Sequence, residues 1–178
     1  MPLTKLNNQS MSAITSTGIP TLTNANLPAQ SLVNYQRTVV TRGEVVVTST
    51  SWTSIDSNLT FNYTPVLSSS RILVMGEVHI APHDSTGNRD NAGGSWAIWL
   101  NGVNVGAHGQ AHEYYYRISA NTSPDIYFGR TIQTELHTNT NGAALGIDIK
   151  ARNYAGNNLR FFQGGNWPAI VHVYEYKT

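Results

Sequence analysis

From Ser31 onward the sequence is a succession of short strand-like segments separated by clusters of turn residues. β-Branched and aromatic residues fill the segments, while Asn, Gly, Ser, Asp and Pro stand between them. No stretch carries the apolar repeat of a three-turn helix. This pattern predicts an all-β fold, an antiparallel β-sandwich or jelly roll. The predicted strands are Ser31 to Val40, Glu44 to Ser49, Leu59 to Thr64, Arg71 to Ile80, Ser95 to Leu100, Val103 to Ala107, His112 to Ser119, Ile126 to Leu136, Ala144 to Tyr154, Leu159 to Gln163 and Ala169 to Tyr176.

Four of these segments carry more specific information. From Leu145 to Lys150 the odd-numbered residues are apolar and the even-numbered ones are polar or small, which predicts a half-buried strand with one face in solvent. Asn101-Gly102 separates two strands by two residues, which predicts a hairpin with a type I′ turn. The run from Arg71 to Met75 is apolar on both faces, which predicts a central strand covered on both sides. The last strand, Ala169 to Tyr176, is also partly apolar on both faces. This pattern predicts packing beyond the sandwich core, as at a subunit interface.

The composition excludes several classes of function. Charged residues make up 12% of the chain, about half the usual share of roughly 25%. The net charge is +1, and no basic patch indicates a nucleic-acid partner. Because the chain has no cysteine, disulfides and thiolate-ligated metals are excluded. No apolar run has the length of a membrane span and no secretory signal is visible, so we expect a soluble protein made in the cytoplasm.

Residues 1–30 differ from the sandwich domain predicted for residues 31–178. The first segment is rich in Thr, Asn, Ser and Pro, and its single charged residue is Lys5. A disordered tail is one interpretation. We favour an extended N-terminal arm that becomes ordered against a neighbouring chain, because it has apolar residues to bury and almost no charge. The residues assigned to this assembly contact are Ile14, Ile19, Leu22 and Leu27.

No group of residues predicts a cofactor, a metal or a catalytic site. His108 and His112 have zinc-like spacing, but on a strand residues four apart lie about 13 Å apart and cannot share one ion. With ten acidic residues spread along the chain, nothing in the spacing of Asp125, Glu135 and Asp148 selects two of them as a glycosidase pair. The sequence therefore predicts a protein that is not an enzyme.

The aromatic residues of the second half are the stronger candidates for binding. Consecutive tyrosines on a strand point to opposite faces, so at least one member of Tyr114-Tyr115-Tyr116 leaves the core. A tyrosine or tryptophan beside Asn and Gly loops is suited to contact a sugar or another protein. The predicted surface-glycan or subunit contacts are Tyr114, Tyr115, Tyr116 and Trp167; packing within the sandwich is the alternative.

Three stretches resemble bacteriophage virion structural proteins. GIPTLTNANLPA, from Gly18 to Ala29, resembles segments that precede the head domain of tail-fibre proteins, where Gly-Ser usually follows; here Gln30 stands in place of that glycine. FNYTPVLSSSRILVM, from Phe61 to Met75, is similar to a strand–turn–strand signature of small virion proteins. AIVHVYEY, from Ala169 to Tyr176, resembles their aromatic final strand.

The resemblance implies a β-sandwich, a homotrimer and a place in a virion. The first hypothesis is a trimeric short tail fibre or spike, whose N-terminal arm attaches to other virion proteins and whose loops contact a host surface glycan. The second is a capsid decoration, or cement, protein that stabilises the phage head. A free-standing carbohydrate-binding lectin domain is the third.

Overall fold

The computed structural model describes residues 24, 27–83, 93–104, 114–117, 129–153, 158–162 and 167–178. These residues form an all-β, antiparallel sandwich of two sheets, so the predicted fold class is confirmed. The strands are β1 (Leu32–Val40), β2 (Val45–Val47), β3 (Thr53–Ser54), β4 (Thr60–Tyr63), β5 (Ser70–His83), β6 (Gly93–Leu100), β7 (Val103–Asn104), β8 (Tyr114–Arg117), β9 (Gly129–Asn139), β10 (Leu145–Asn153), β11 (Asn158–Phe161) and β12 (Ala169–Lys177).

The first sheet is built around β5, its longest strand. One edge of β5 pairs with β9 along its length, from Ser70 opposite Asn139 to Ile80 opposite Gly129. The other edge is shared by β12 and β11, which continue outward to β1 and β2 respectively. The position of β5 in the middle of this sheet agrees with the apolar character of both its faces.

The second sheet is centred on β10 and β6. Strand β10 pairs with β6 on one side and with β4 and β3 on the other. Strand β6 in turn pairs with β7 and β8. At its end, Asn101 and Gly102 have φ angles of 52° and 76°, and both positive values are required by a type I′ turn. The predicted hairpin is therefore confirmed.

The core lies between the two sheets. In β10, buried residues alternate with partly exposed ones along the whole strand, which confirms the predicted half-buried pattern. In β5 the even-numbered residues point inward, and Gly76 leaves room for the Trp96 ring of the facing sheet. The largest fully buried side chains are Trp96, Tyr63, Phe161, Phe162, Leu59, Ile72, Ile80, Ile98, Leu145, Ile147, Ile149 and Leu159.

The chain enters the sandwich through a turn fixed to the end of the last strand. The backbone N–H of Gln30 donates to Lys177 O at 2.8 Å, and the Lys177 N–H donates to Ser31 O at 3.0 Å. Gln30 has a φ of 66°, the left-handed conformation that glycine adopts most readily. The turn thus forms although glutamine stands at this position.

We predict that Gln30→Gly stabilises the protein slightly. Relief of the left-handed strain is worth about 1–2 kcal/mol, and the added freedom of the unfolded chain offsets about half of it. The free energy of unfolding, measured by urea denaturation, should rise by about 0.5 kcal/mol or more. Ala29→Gly is the control, because its φ is not positive and the change should destabilise. Equal losses in both variants would contradict the prediction.

Candidate functional site

One face of the first sheet is turned away from the core, and we call it the outer face. It is formed by alternate residues of β1, β12, β5 and β9. Among the described residues, no strand of the second sheet packs on it. The sequence predicted that β5 would be covered on both sides; instead Leu73 and Met75, on the outer side of β5, are partly exposed. The described part of the chain does not provide that second cover.

Apolar side chains cross the outer face from one edge to the other. The strand register places Tyr35, Tyr174, Leu73 and Leu136 side by side across all four strands. The rings of Tyr35 and Tyr174 lie 5.0 Å apart. Large apolar side chains on one continuous surface are typical of a protein contact site.

An aromatic ladder on β12 gives this face a defined shape. His172, Tyr174 and Tyr176 stack successively, with ring centroids 6.0 and 6.5 Å apart. The Tyr35 hydroxyl and His172 Nδ1 are 2.7 Å apart and share a hydrogen bond. Stacked rings that hydrogen-bond one another are held in place before any partner arrives, which reduces the entropy lost on binding. These rings lie on the last strand, for which the sequence predicts packing beyond the sandwich core.

The edge strand β9 has apolar side chains outward and polar side chains inward, which is the reverse of an ordinary sandwich strand. Its outward residues include Ile132 and Leu136, which are 55% and 57% exposed. Its inward residues are polar. They are Thr131, Gln133, Glu135, His137 and Asn139. A shift of one residue would bury both aliphatic side chains. The observed register therefore lacks a hydrophobic stabilisation on the order of 1 kcal/mol for each of them.

Hydrogen bonds to the polar residues of β9 hold this register in place. The Trp96 indole N–H donates to Thr131 Oγ1 at 2.8 Å, and Gln133 Nε2 donates to Trp96 O at 2.5 Å. At the other end, Asn139 Nδ2 donates to Leu67 O at 2.7 Å. The strand is therefore fixed with its apolar side outward, which favours a partner on the outer face.

The charges of the outer face are few and mostly positive. Among its described residues they are Arg37, Arg71, Arg130 and Glu77. Arg130 forms an ion pair with the buried Glu77. Burial, and then the charge of Arg130, lower the pKa of the neighbouring His79, so this ring is neutral at pH 7 and adds no charge to the face.

The structure describes the predicted contact residues only in part. The Trp167 ring is 47% exposed and packs on His79 with ring centroids 4.6 Å apart, so it lies beside the outer face. Tyr114, Tyr115 and Tyr116 belong to β8 and pair with Trp96, Ser95 and Gly94 of β6; their side chains lie outside the described residues.

Of the four arm residues assigned to the assembly contact, the structure describes only Leu27. It is partly buried, and its carbonyl oxygen accepts a hydrogen bond from Lys177 Nζ at 2.7 Å. Ile14, Ile19 and Leu22 lie outside the described residues. The link between Leu27 and β12 fixes the point at which the arm leaves the sandwich.

The solvent face of the second sheet has a different character. Trp52 and Trp99 meet edge to face at 5.8 Å. Lys150 lies 4.4 Å above the Trp99 ring, and Arg152 lies 4.8 Å from the Trp52 ring. Beside them, both oxygens of Asp148 accept hydrogen bonds, from the hydroxyls of Ser54 and Thr60. Cations cover both rings, so cation–π contacts connect β10 to Trp99 of β6 and to Trp52, which precedes β3.

The structure does not bring Glu135 and Asp148 together. Glu135 is buried against the core side of β9, while Asp148 lies on the solvent face of the other sheet. Asp125 lies outside the described residues, as do His108 and His112. Within the described ranges, no group of three or more His, Asp or Glu side chains is placed to hold a metal ion.

A buried carboxylate joins the last strand to the loop between β4 and β5. Glu175 is fully buried and accepts hydrogen bonds from Tyr63 Oη at 2.8 Å, Val66 N at 2.9 Å and Leu67 N at 3.1 Å. Burial alone would raise the pKa of Glu175, but these donors and Ser70 outweigh it and lower the pKa. Burial and this carboxylate raise the pKa of Tyr63, so the phenol stays a donor.

We predict that the free energy of unfolding falls in acid because of this carboxylate. Its pKa is lowered in the folded state, so its stabilisation is present above the ordinary value of 4.5 and is lost as the pH falls through the folded value. Urea denaturation at about pH 6 and about pH 3 measures the loss. In the Glu175→Gln control the loss should be smaller. An equal loss in both proteins would contradict the assignment.

None of the helical structure in the described residues has the length and apolar character of a membrane-spanning segment.

Comparisons with known proteins assign no family to this chain. No family model matches it, and no curated protein matches it. Among solved structures it is similar to the crystal structure of dimeric latent PorU from Porphyromonas gingivalis, at 12% identity with a TM-score of 0.38. The match covers 84% of this chain and spans 14% of that chain. A likeness at this level carries no argument about function.

Proposed function

We propose that this protein is a non-enzymatic structural subunit of a phage virion, a trimeric short tail fibre or spike that assembles with copies of itself. The observation that carries the proposal is the outer face, whose edge strand is fixed with Ile132 and Leu136 turned outward. A partner that buries these side chains supplies the hydrophobic stabilisation that the β9 register lacks in the single chain. Self-assembly is the simplest source of such a partner.

Two further features support a structural role. The aromatic ladder on β12 is held in place by stacking and by a hydrogen bond, as expected of a surface that binds without rearranging. The resemblance of the arm, the β4–β5 region and β12 to virion proteins supplies the biological setting. In this setting the exposed ring of Trp167 is available to a host surface glycan, and three copies on one head would bind with avidity.

Capsid decoration is the alternative placement, since a cement protein needs the same arm and the same apolar face. The copy number in purified phage particles, measured by quantitative mass spectrometry against the major capsid protein, separates the two. A fibre or spike predicts a count that is a small multiple of the tail symmetry. A count comparable to that of the capsid protein would favour a capsid decoration protein over a fibre or spike.

Absence of the protein from the particles would overturn the virion proposal. In that case a lectin domain becomes the leading hypothesis, and a glycan array tests it with the same purified protein. Binding to a defined sugar would support the lectin, and an array without binding would count against it.

A further inference from the structure

We infer that the N-terminal arm of a neighbouring subunit lies on the outer face, so that each copy donates one arm and receives one. This inference rests on the proposed function, because it requires that copies of the chain contact one another. It adds the identity of the segment that covers Ile132 and Leu136 on β9.

The point where the arm leaves the sandwich is the first argument. Leu27 and Gln30 are both hydrogen-bonded to Lys177, at the end of β12. Leu32, at the start of β1, lies opposite Tyr176 of the aromatic ladder and is half exposed. The arm therefore emerges at the border of the outer face, where it can pass to a neighbouring copy without crossing the core.

Charge favours an arm over a second outer face as the occupant. The outer face carries three arginines and one glutamate among its described residues, so two such faces pressed together would bring like charges into contact. The arm contains one charged residue, Lys5, near its beginning. Its residues from Leu6 to Leu27 are uncharged and can cover the apolar rows without bringing a second positive charge to them.

The symmetry of the proposed trimer also favours the arm as the occupant of the outer face. Contact between the same outer-face residues of two copies is isologous and closes at two copies. Contact between an arm and a face is heterologous, and a heterologous contact that closes on itself forms a ring such as a trimer. The arm–face contact is therefore compatible with the proposed trimer, whereas the isologous contact gives a dimer.

The arm is long enough for this contact. Four strands at about 4.8 Å spacing give the outer face a width of about 15 Å. The segment from Gln9 to Asn26, if extended, reaches about 60 Å at about 3.3 Å for each residue. It can leave one subunit, cross the gap and still span all four strands of the next.

Cross-linking of the full-length chain tests the inference, and the lack of native cysteine makes the labelling specific. Ile19→Cys places a thiol in the arm, and Leu136→Cys places one on the outer face. The two single variants carry different affinity tags, are co-expressed, and are treated with a short bismaleimide. We expect several-fold more covalent heterodimer than from Ile19→Cys paired with Asn62→Cys, whose exposed side chain lies on the second sheet.

Three outcomes would overturn the inference. They are equal yields in the two pairings, dimers formed by Leu136→Cys alone in excess of the heterodimer, and a cross-link within single chains of the Ile19→Cys/Leu136→Cys double variant in place of dimers. The mass of the untreated wild-type protein by light scattering separates these failures. If the wild-type protein is an oligomer but the arm–face cross-link does not form, only this inference is wrong. If the wild-type protein is a single chain in solution, the proposed function is wrong as well.

Discussion

Replacing Glu175 with leucine is expected to lower the free energy of unfolding by about 3–5 kcal/mol, a large part of the 5–15 kcal/mol that holds a typical domain together. The substitution leaves the donors of Tyr63, Val66 and Leu67 without their acceptor. A buried donor without a partner costs about 1–3 kcal/mol. Glu175→Gln keeps one acceptor oxygen, so its free energy of unfolding should lie between those of Glu175→Leu and the wild type.

The measurement is urea denaturation at neutral pH. Glu44→Leu is the matched control, because Glu44 is on the surface and forms one ion pair with Arg160 at 3.3 Å; its loss should cost about 1 kcal/mol or less. A Glu175→Leu protein within about 1 kcal/mol of the wild type would show that the carboxylate does not hold the β4–β5 loop to β12.

The second large effect is expected from lysines on the outer face. In the double variant Ile132→Lys/Leu136→Lys, assembly would have to bury two ammonium groups and would lose two apolar contacts. At about 1 kcal/mol for each side chain, the lost contacts alone correspond to about 2 kcal/mol, an association about 30-fold weaker. Lysine is well tolerated on edge strands, so the sandwich itself should stay folded.

Sedimentation velocity over a range of concentrations measures this change, and circular dichroism checks the fold. Val103→Lys is the control, since Val103 is equally exposed, at 59%, but lies on β7 of the second sheet. The control should assemble like the wild type. If the double variant also assembles like the wild type, the outer face is not the assembly surface.

Much of the fold could be predicted from local chemistry. The Asn101-Gly102 turn and the alternation in β10 depend on neighbouring residues only, and the structure confirms both. The two-residue strand β3 was not predicted, because its pairing with β10 depends on distant residues. The Glu175 network was not predicted for the same reason: its donors lie more than 100 positions away in sequence.

The candidate surface was predicted only in part. The apolar character of both faces of β12 indicated an interface, and this strand does lie in the outer face. The contribution of β9 was missed, because alternation ordinarily indicates a strand with its apolar side in the core, whereas Ile132 and Leu136 point outward. The signal was present in the polar residues Thr131 and Gln133, whose hydrogen-bond partners Trp96 and Val78 are apparent only in the folded structure.

We propose that the chain works as a subunit of a symmetric assembly of identical copies. The most direct test is the mass of the full-length wild-type protein in solution, measured by size-exclusion chromatography with light scattering. We expect the mass of a trimer, three times the 19.5 kDa of one chain. A mass of one chain, maintained as the protein concentration is raised, would contradict it.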